Sequence, residues 1–260
     1  MFTVTKYPHG TFSWADCGST DPAKSKAFYS ALMGWSAEDL PLGDNMFYTM
    51  FKQDGLNVAG LGPLMMEGMP SVWSSYVNVD SADAIAARVK ELGGTVLMEP
   101  MDVFDSGRMM MLQDPTGAVV GVWQAKNHIG SSLVNTPGAM TWNELTTRDV
   151  DKAKDFYTKL FGWQASVDPA SGYVTFLNNG RPNGGVMLMD ANWGDMPPVW
   201  TAYFSVADID ATIAKVEPNG GKVILGKTKA GDIGAFAVIA DPTGAVCTFM
   251  QLKEPQPWDA

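Results

Sequence analysis

Apolar and polar positions alternate over residues 11–17 (TFSWADC), then switch to three- and four-residue spacing, with Ala23, Ala27, Phe28, Ala31 and Leu32 forming one stripe. A period of two marks a strand and a period near 3.6 a helix, so a strand leads into a helix. Asp21 before Pro22 supplies a cap and a proline at the first helical position, and Gly34 ends the run. Three short strand candidates follow at Trp35–Glu38, Asn45–Lys52 and Asn57–Pro63, separated by Leu42-Gly43-Asp44 and Asp54-Gly55 turn signals. That order is one βαβββ module. Leu64–Pro70 reads as a linker. A second module then runs through strand Val72–Val79, helix Ser81–Leu92, the stop Gly93-Gly94 and strands near Thr95–Met98, Gly107–Leu112 and Ala118–Gln124. The turn Asp114-Pro115-Thr116-Gly117 joins its last two strands as a hairpin.

The whole pattern then occurs again. Aligning residues 11–35 with 139–163 gives nine identities, Trp14, Asp21, Lys24, Lys26, Phe28, Tyr29, Leu32, Gly34 and Trp35, at an offset of 128. Chance would give about one. VWSSYVNVDSADA (72–84) returns as VWTAYFSVADIDA (199–211), Gly93-Gly94 as Gly220-Gly221, and DPTGAV (114–119) as DPTGAV (241–246). The second copy predicts strand Met140–Leu145, helix Val150–Leu160, strands near Tyr173–Asn178 and Gly185–Asp190, and a linker Ala191–Pro198. It closes with strand Val199–Val206, helix Ile209–Val216, a stop at Pro218–Gly221 and a hairpin around Asp241–Gly244. Residues 125–138 carry Gly, Ser, Asn and Pro without periodicity. The expected division is therefore an N-terminal domain 1–126, a linker 127–138 and a C-terminal domain 139–260. Helices interleaved with strands that are mostly joined by short turns predict an α+β fold, with four βαβββ modules paired into two half-open mixed sheets. Pro255, Pro257 and Trp258 form a tail that the pattern does not place.

Composition narrows the function classes. With 260 residues, 46% of them hydrophobic, each half can bury its own core. A net charge of −10 and 18 scattered basic residues argue against nucleic acid, because phosphate binding needs clustered Lys and Arg. Cys17 and Cys247 fall at non-matching places of the two copies, so neither a disulfide framework nor a CxxC metal knuckle is encoded. No apolar run reaches the roughly 18 residues of a membrane span, and no leader pattern is visible, so the expected location is the cytoplasm.

The arrangement D-x-x-x-[AS]-x-x-FY-x-x-[LV]-x-G-W, a helix ending in GG, and DP-x-G before a closing strand resembles the glyoxalase/bleomycin-resistance/dioxygenase superfamily, also called vicinal oxygen chelate proteins. The resemblance covers nearly the whole chain, once per half. It is similar to two-domain, glyoxalase-like bacterial proteins whose halves are joined by WQA-x-x-HIG, here Trp123 to Gly130. The resemblance implies paired βαβββ modules around a small-molecule cleft, and no particular reaction.

Enzymes of that superfamily hold a divalent metal with His, Glu or Gln from four strand positions. Counted from the landmarks, those positions carry Trp14 and Trp142, Ser74 and Thr201, Gly121 and Thr248, and a residue among Ala59-Gly60-Leu61 and Gly184-Gly185-Val186. Such metals need carboxylate or imidazole donors, and a hydroxyl is a poor substitute. His9 and His128 are the only histidines, so no metal and no cofactor is expected. Period-two alternation places Asp16 beside Trp14 and Glu144 beside Trp142 on one strand face. A carboxylate next to an indole in a half-apolar pocket can close a buried hydrogen-bond network, anchor a ligand or act as a general base. Methionine runs at Met65-Met66 and Met109-Met110-Met111 suit an adaptable pocket or ordinary core. Trp73 and Trp200, Trp123, and Tyr76 and Tyr203 read first as domain-interface packing, with Trp123 also a ligand contact. His128 reads as a residue that fixes the linker.

The reading favoured is a metal-free protein that binds an apolar or aromatic small molecule, with Trp14, Trp142, Ser74, Thr201, Gly121, Thr248 and Trp123 as contacts and Asp16 and Glu144 as polar anchors. The alternatives are a lyase, isomerase or hydroxylase using Asp16 or Glu144 as acid or base, a metal-dependent lyase or dioxygenase, and a structural protein. Duplication supplies the pairing that single-domain relatives obtain by dimerising, so a monomer suffices and a homodimer stays open.

Overall fold

A computed structural model describes residues 2–43, 45–64 and 68–254. Asp44 of the predicted turn, Met65-Met66 and the tail residues Pro255, Pro257 and Trp258 lie outside the described residues. After a short β1 (Phe2–Thr3), the first module is β2 (Thr11–Ser19), α1 (Pro22–Met33), β3 (Ser36–Gly43), β4 (Met46–Gln53) and β5 (Leu56–Pro63). The second is β6 (Val72–Asn78), α2 (Ala82–Glu91), β7 (Thr95–Val103), β8 (Gly107–Gln113) and β9 (Val119–Ala125). The short β10 (Leu133–Val134) precedes the third, β11 (Met140–Thr147), α3 (Val150–Phe161), β12 (Gln164–Val167), β13 (Val174–Asn178) and β14 (Arg181–Leu188). The fourth is β15 (Val199–Ser205), α4 (Ile209–Ile213), β16 (Lys222–Ala230), β17 (Gly234–Ala240) and β18 (Val246–Leu252). The expected order is present four times.

Each half forms one mixed sheet. The N-terminal order is β3-β4-β5-β2-β6-β9-β8-β7, and the C-terminal order is β12-β13-β14-β11-β15-β18-β17-β16. The opening strands of paired modules lie side by side and antiparallel, β2 on β6 and β11 on β15. The predicted linker is not all loop, because β10 pairs with both β1 and β11. Helix caps follow the sequence: the Asp21 carboxylate accepts from the Lys24 amide and that of Asp149 from the Lys152 amide. Two departures are local. The predicted helix over Ile209–Val216 is α-helical only to Ile213 and then tightens, with the Lys215 amide bonded to Thr212 and that of Val216 to Ile213, before a 3-10 turn over Glu217–Asn219. The four-residue β12 is exposed throughout, so it carries no alternating signal.

One face of each sheet, with the helices, forms a single core shared by both halves. Phe12 meets Trp200 at 5.0 Å, and Phe204 meets Trp73 at 4.9 Å and Trp35 at 5.5 Å between ring centroids. The Trp35 indole donates to the Gly138 carbonyl at 2.8 Å, and reciprocally Trp163 donates to Gly10 at 2.7 Å. The duplicated glycine pairs do more than stop helices. A Cβ on Gly94 would lie 2.9 Å from Phe156, and one on Gly221 would lie 2.5 Å from Phe28, so each second glycine admits a phenylalanine from the other half. The DPTG aspartates are bonded in the same reciprocal way. Asp114 accepts from the Tyr157 hydroxyl at 2.9 Å and Asp241 from the Ser25 hydroxyl at 2.6 Å. Among the described residues, no helix is long and apolar enough to cross a membrane.

Candidate active site on the outer sheet faces

The opposite face of each sheet presents Trp14 and Asp16 in one half and Trp142 and Glu144 in the other. Strand register decides which neighbours share that face. Asp16 lies between Gly60 and Ser74, and Trp14 beside Tyr76, which in turn pairs with Gly121. In the second half, Glu144 lies between Gly185 and Thr201, and Trp142 beside Tyr203, which pairs with Thr248. The register thus groups Trp14, Asp16, Ser74 and Gly121 on the face of one sheet and Trp142, Glu144, Thr201 and Thr248 on that of the other, with the fourth position at Gly60 and Gly185.

The carboxylates are held by tyrosines. Tyr48 donates to Asp16 Oδ2 at 3.1 Å, Tyr76 donates to Oδ1 at 3.2 Å, and the Trp14 indole donates to the Tyr48 hydroxyl at 3.0 Å. The copy repeats every bond: Tyr173 donates to Glu144 Oε2 at 2.7 Å, Tyr203 to Oε1 at 2.7 Å, and Trp142 to the Tyr173 hydroxyl at 3.2 Å. Tyr76 and Tyr203 therefore belong to the site face and not to the domain interface, whereas Trp73 and Trp200 sit in the shared core and donate to Tyr29 and Tyr157. Tyr48 and Tyr173 escape the repeat alignment because the offset between the halves falls to 125 in this stretch. A tyrosine twelve residues before each of Gly60 and Gly185 is the signal that identifies them.

The glycines are what let these rings lie down. A Cβ on Gly60 would stand 1.9 Å from the Tyr48 hydroxyl, and one on Gly185 would stand 1.7 Å from that of Tyr173. The tyrosine oxygens thus fill the space that a side chain at the fourth metal position would need. The remaining three positions offer an indole N–H, which only donates, a hydroxyl, and Gly121 or Thr248. Among the described residues no group of three or more His, Cys, Asp and Glu comes together. The donors present do not fit the divalent metal that the fold implies.

Burial raises the Asp16 carboxyl from 3.8 to about 6, against the lowering effect of the two tyrosine bonds. Glu144 is raised for the same reason against the same opposing bonds, and no cation contributes to either shift. The folded state therefore retains the Asp16 proton between pH 4 and 6 while the unfolded chain has lost it, so this residue's contribution to stability falls as pH rises through that window. Asp16→Asn should gain roughly 1–3 kcal/mol on wild type between pH 4 and pH 7 in urea unfolding. A difference independent of pH, or of opposite sign, rejects the buried-carboxyl account.

The two faces differ in how they are covered. In the N-terminal half Trp14, Tyr76, Met109 and Trp123 are buried as a satellite core with Met50, Met98, Val103 and Met111 against it. His128 from the connecting segment meets Trp14 edge-on at 4.6 Å, and its carbonyl accepts from the Trp123 indole at 2.8 Å. Burial lowers His128 from 6.5 to about 4, so the imidazole is neutral at neutral pH. In the C-terminal half Trp142, Tyr173 and Thr201 beside Glu144 stay partly exposed, as do Phe236 and Val238 farther along the sheet. Cavities of about 310 and 360 Å³ lie elsewhere, the first against Leu32, Pro137 and Thr212, the second against Pro22, Asp39 and Phe47.

Known proteins match nearly the whole chain. The chain is 39% identical over 254 residues to "Putative glyoxylase CFP32" of Mycobacterium tuberculosis, covering 95% of this chain and 97% of that protein. It is 33% identical over 273 residues to "Anthracycline biosynthesis protein DnrV" of Streptomyces peucetius, covering 98% of each. The fold superposes on a Mn(II)-bound glyoxalase from Novosphingobium aromaticivorans with a TM-score of 0.66 at 17% identity, over 97% of this chain and 85% of the other. The sequence profile of one superfamily matches residues 12–122 and again 133–249. With two such matches and four βαβββ modules, the chain belongs to the Glyoxalase/Bleomycin resistance protein/Dioxygenase superfamily.

Proposed function

We propose that this protein binds an apolar or aromatic small molecule without a metal, using the site faces of its sheets, with Glu144 and Asp16 as polar anchors. The observation that carries this reading is a carboxylate held by two tyrosine hydroxyls, one of which accepts from an indole, built alike in both halves beside metal positions that carry no carboxylate or imidazole. Aromatic walls around a few fixed polar groups are what an apolar metabolite needs for both burial and orientation. The name of the Streptomyces peucetius relative, an anthracycline biosynthesis protein, supports an aromatic ligand class.

The test is thermal unfolding against a panel of aromatic metabolites before and after exhaustive chelation. A ligand at 100 times its Kd adds about 2.7 kcal/mol, or roughly 5–10 °C in Tm for a chain of this size. The shift should survive chelator unchanged. Loss of the shift on chelation, restored by Mn(II) or Zn(II), refutes the metal-free reading, and the absence of any shift refutes binding.

A second reading is favoured by the raised Asp16 and Glu144 carboxyls, which burial brings toward the range of a general base for a lyase, isomerase or hydroxylase step. Turnover that survives Glu144→Gln and Asp16→Asn together removes it.

A further inference from the structure

The fold contains two kinds of buried carboxylate, and they are satisfied differently. Asp114 Oδ1 accepts from the Thr116, Gly117 and Ala118 amides and the Thr116 hydroxyl, at 2.7 to 3.1 Å, while Oδ2 takes the Tyr157 hydroxyl. Asp241 is wrapped similarly by Thr243, Ala245 and Ser25. Those two are closed. Glu144 takes two bonds only, one phenol on each oxygen, although a carboxylate has about four acceptor positions. No Lys, Arg or His forms an ion pair with it among the described residues, and it is only 9% exposed. A buried negative charge with free lone pairs and no cation is expensive unless a partner arrives.

The surroundings say what kind of partner. Tyr173 lies over Gly185 on one side of Glu144, and Tyr203 stands on β15 on the other, beside Trp142 and with its ring centroid 6.5 Å from that of Phe236. All of these aromatic residues but Tyr203 remain partly exposed. Aromatic faces around an unpaired carboxylate suit an organic ammonium, which gains charge-assisted hydrogen bonds and cation–π attraction together. A neutral hydroxyl would leave the charge uncompensated. The Asp16 copy has the same bonds, with Met109, Trp123 and the His128 ring packed around its neighbour Trp14.

We infer that the C-terminal site face recognises a small molecule carrying a protonated amine on an apolar or aromatic body, with Glu144 as the counter-charge for the amine. This rests on the small-molecule-binding reading above and adds the charge class of the ligand to it.

The experiment uses the full chain at pH 7.5 and two probes with the same naphthyl body, the cationic 2-(2-naphthyl)ethylamine and its neutral N-acetyl derivative, titrated by calorimetry. The amine is expected to bind at least tenfold tighter than the amide. Glu144→Gln should remove that preference, and Asp151→Asn, a change at an exposed carboxylate on α3, should keep it. Equal binding of the two probes, or tighter binding of the amide, overturns the inference and leaves the apolar-ligand reading standing. Preference retained in Glu144→Gln places the counter-charge elsewhere and also overturns it. Binding of neither probe by wild type fails both readings. The wild-type comparison decides the charge question even if Glu144→Gln does not fold.

Discussion

Gly60→Ala should destabilise the protein by roughly 2–4 kcal/mol, far more than an alanine for glycine in a strand would cost by itself. The added methyl would sit 1.9 Å from the Tyr48 hydroxyl and 2.5 Å from its ring carbon Cζ, so the tyrosine has to leave. Its departure strips Asp16 Oδ2 of a donor and leaves the Trp14 indole without its acceptor. Both groups lie deep in the N-terminal face, where an unmade hydrogen bond costs about 1–3 kcal/mol. A double-mutant cycle checks this cause. In a Tyr48→Ala background the same glycine substitution should cost markedly less, because the nearest remaining atom is then the Asp16 Cβ, 2.9 Å away. A Gly60→Ala penalty that is undiminished in that background would show that the strand backbone, and not the tyrosine, requires the glycine. Gly185→Ala should behave alike against Tyr173, where the contact is 1.7 Å.

Trp200→Ala carries the largest stability effect expected anywhere in the chain, about 3–5 kcal/mol. The indole is 2% exposed, donates to Tyr157 at 2.7 Å, and packs on Tyr157 and Phe176 from its own half and Phe12 from the other. Tyr157 continues the chain of contacts to Asp114 in the N-terminal half. Damage at Trp200 is therefore shared. Denaturant unfolding followed by circular dichroism and by tryptophan fluorescence should show one coincident transition, moved to lower denaturant in the variant with its slope unchanged. Two separated transitions, with only the C-terminal one displaced, would mean that the halves hold themselves together independently and that the shared core contributes little.

How much of this could be read in advance differs between fold and site. Every module was legible because its signals are local. Asp21-Pro22 and Gly34 bracket α1, the stripe through Phe28 and Leu32 states its period, and the recurrence of DPTGAV shows that the frame is doubled. Asp16 and Glu144 were legible as well, since alternation alone puts them on the face of Trp14 and Trp142. Tyr76 and Tyr203 were visible as a repeated pair but not as donors, because a strand residue's partner depends on which strand lies next to it. Tyr48 and Tyr173 were hidden by a shift of repeat offset from 128 to 125. The short β1 and β10 were also missed, being two residues each and paired across long separations.

The amino-acid sequence by itself determined the fourfold βαβββ order, the two-sheet α+β architecture, the family, and the indole, hydroxyl and glycine now standing at the metal positions. These follow from periodicity, caps and spacing, which act within a dozen residues. Only the tertiary structure decided that Tyr48 lies across Gly60, that four phenols hold two carboxylates, that each second glycine of a GG pair admits a phenylalanine from the other half, and that His128 of the connecting segment packs on Trp14. Those outcomes depend on strand register and on packing between residues far apart in the chain, and a register is fixed only when the whole sheet closes around its core.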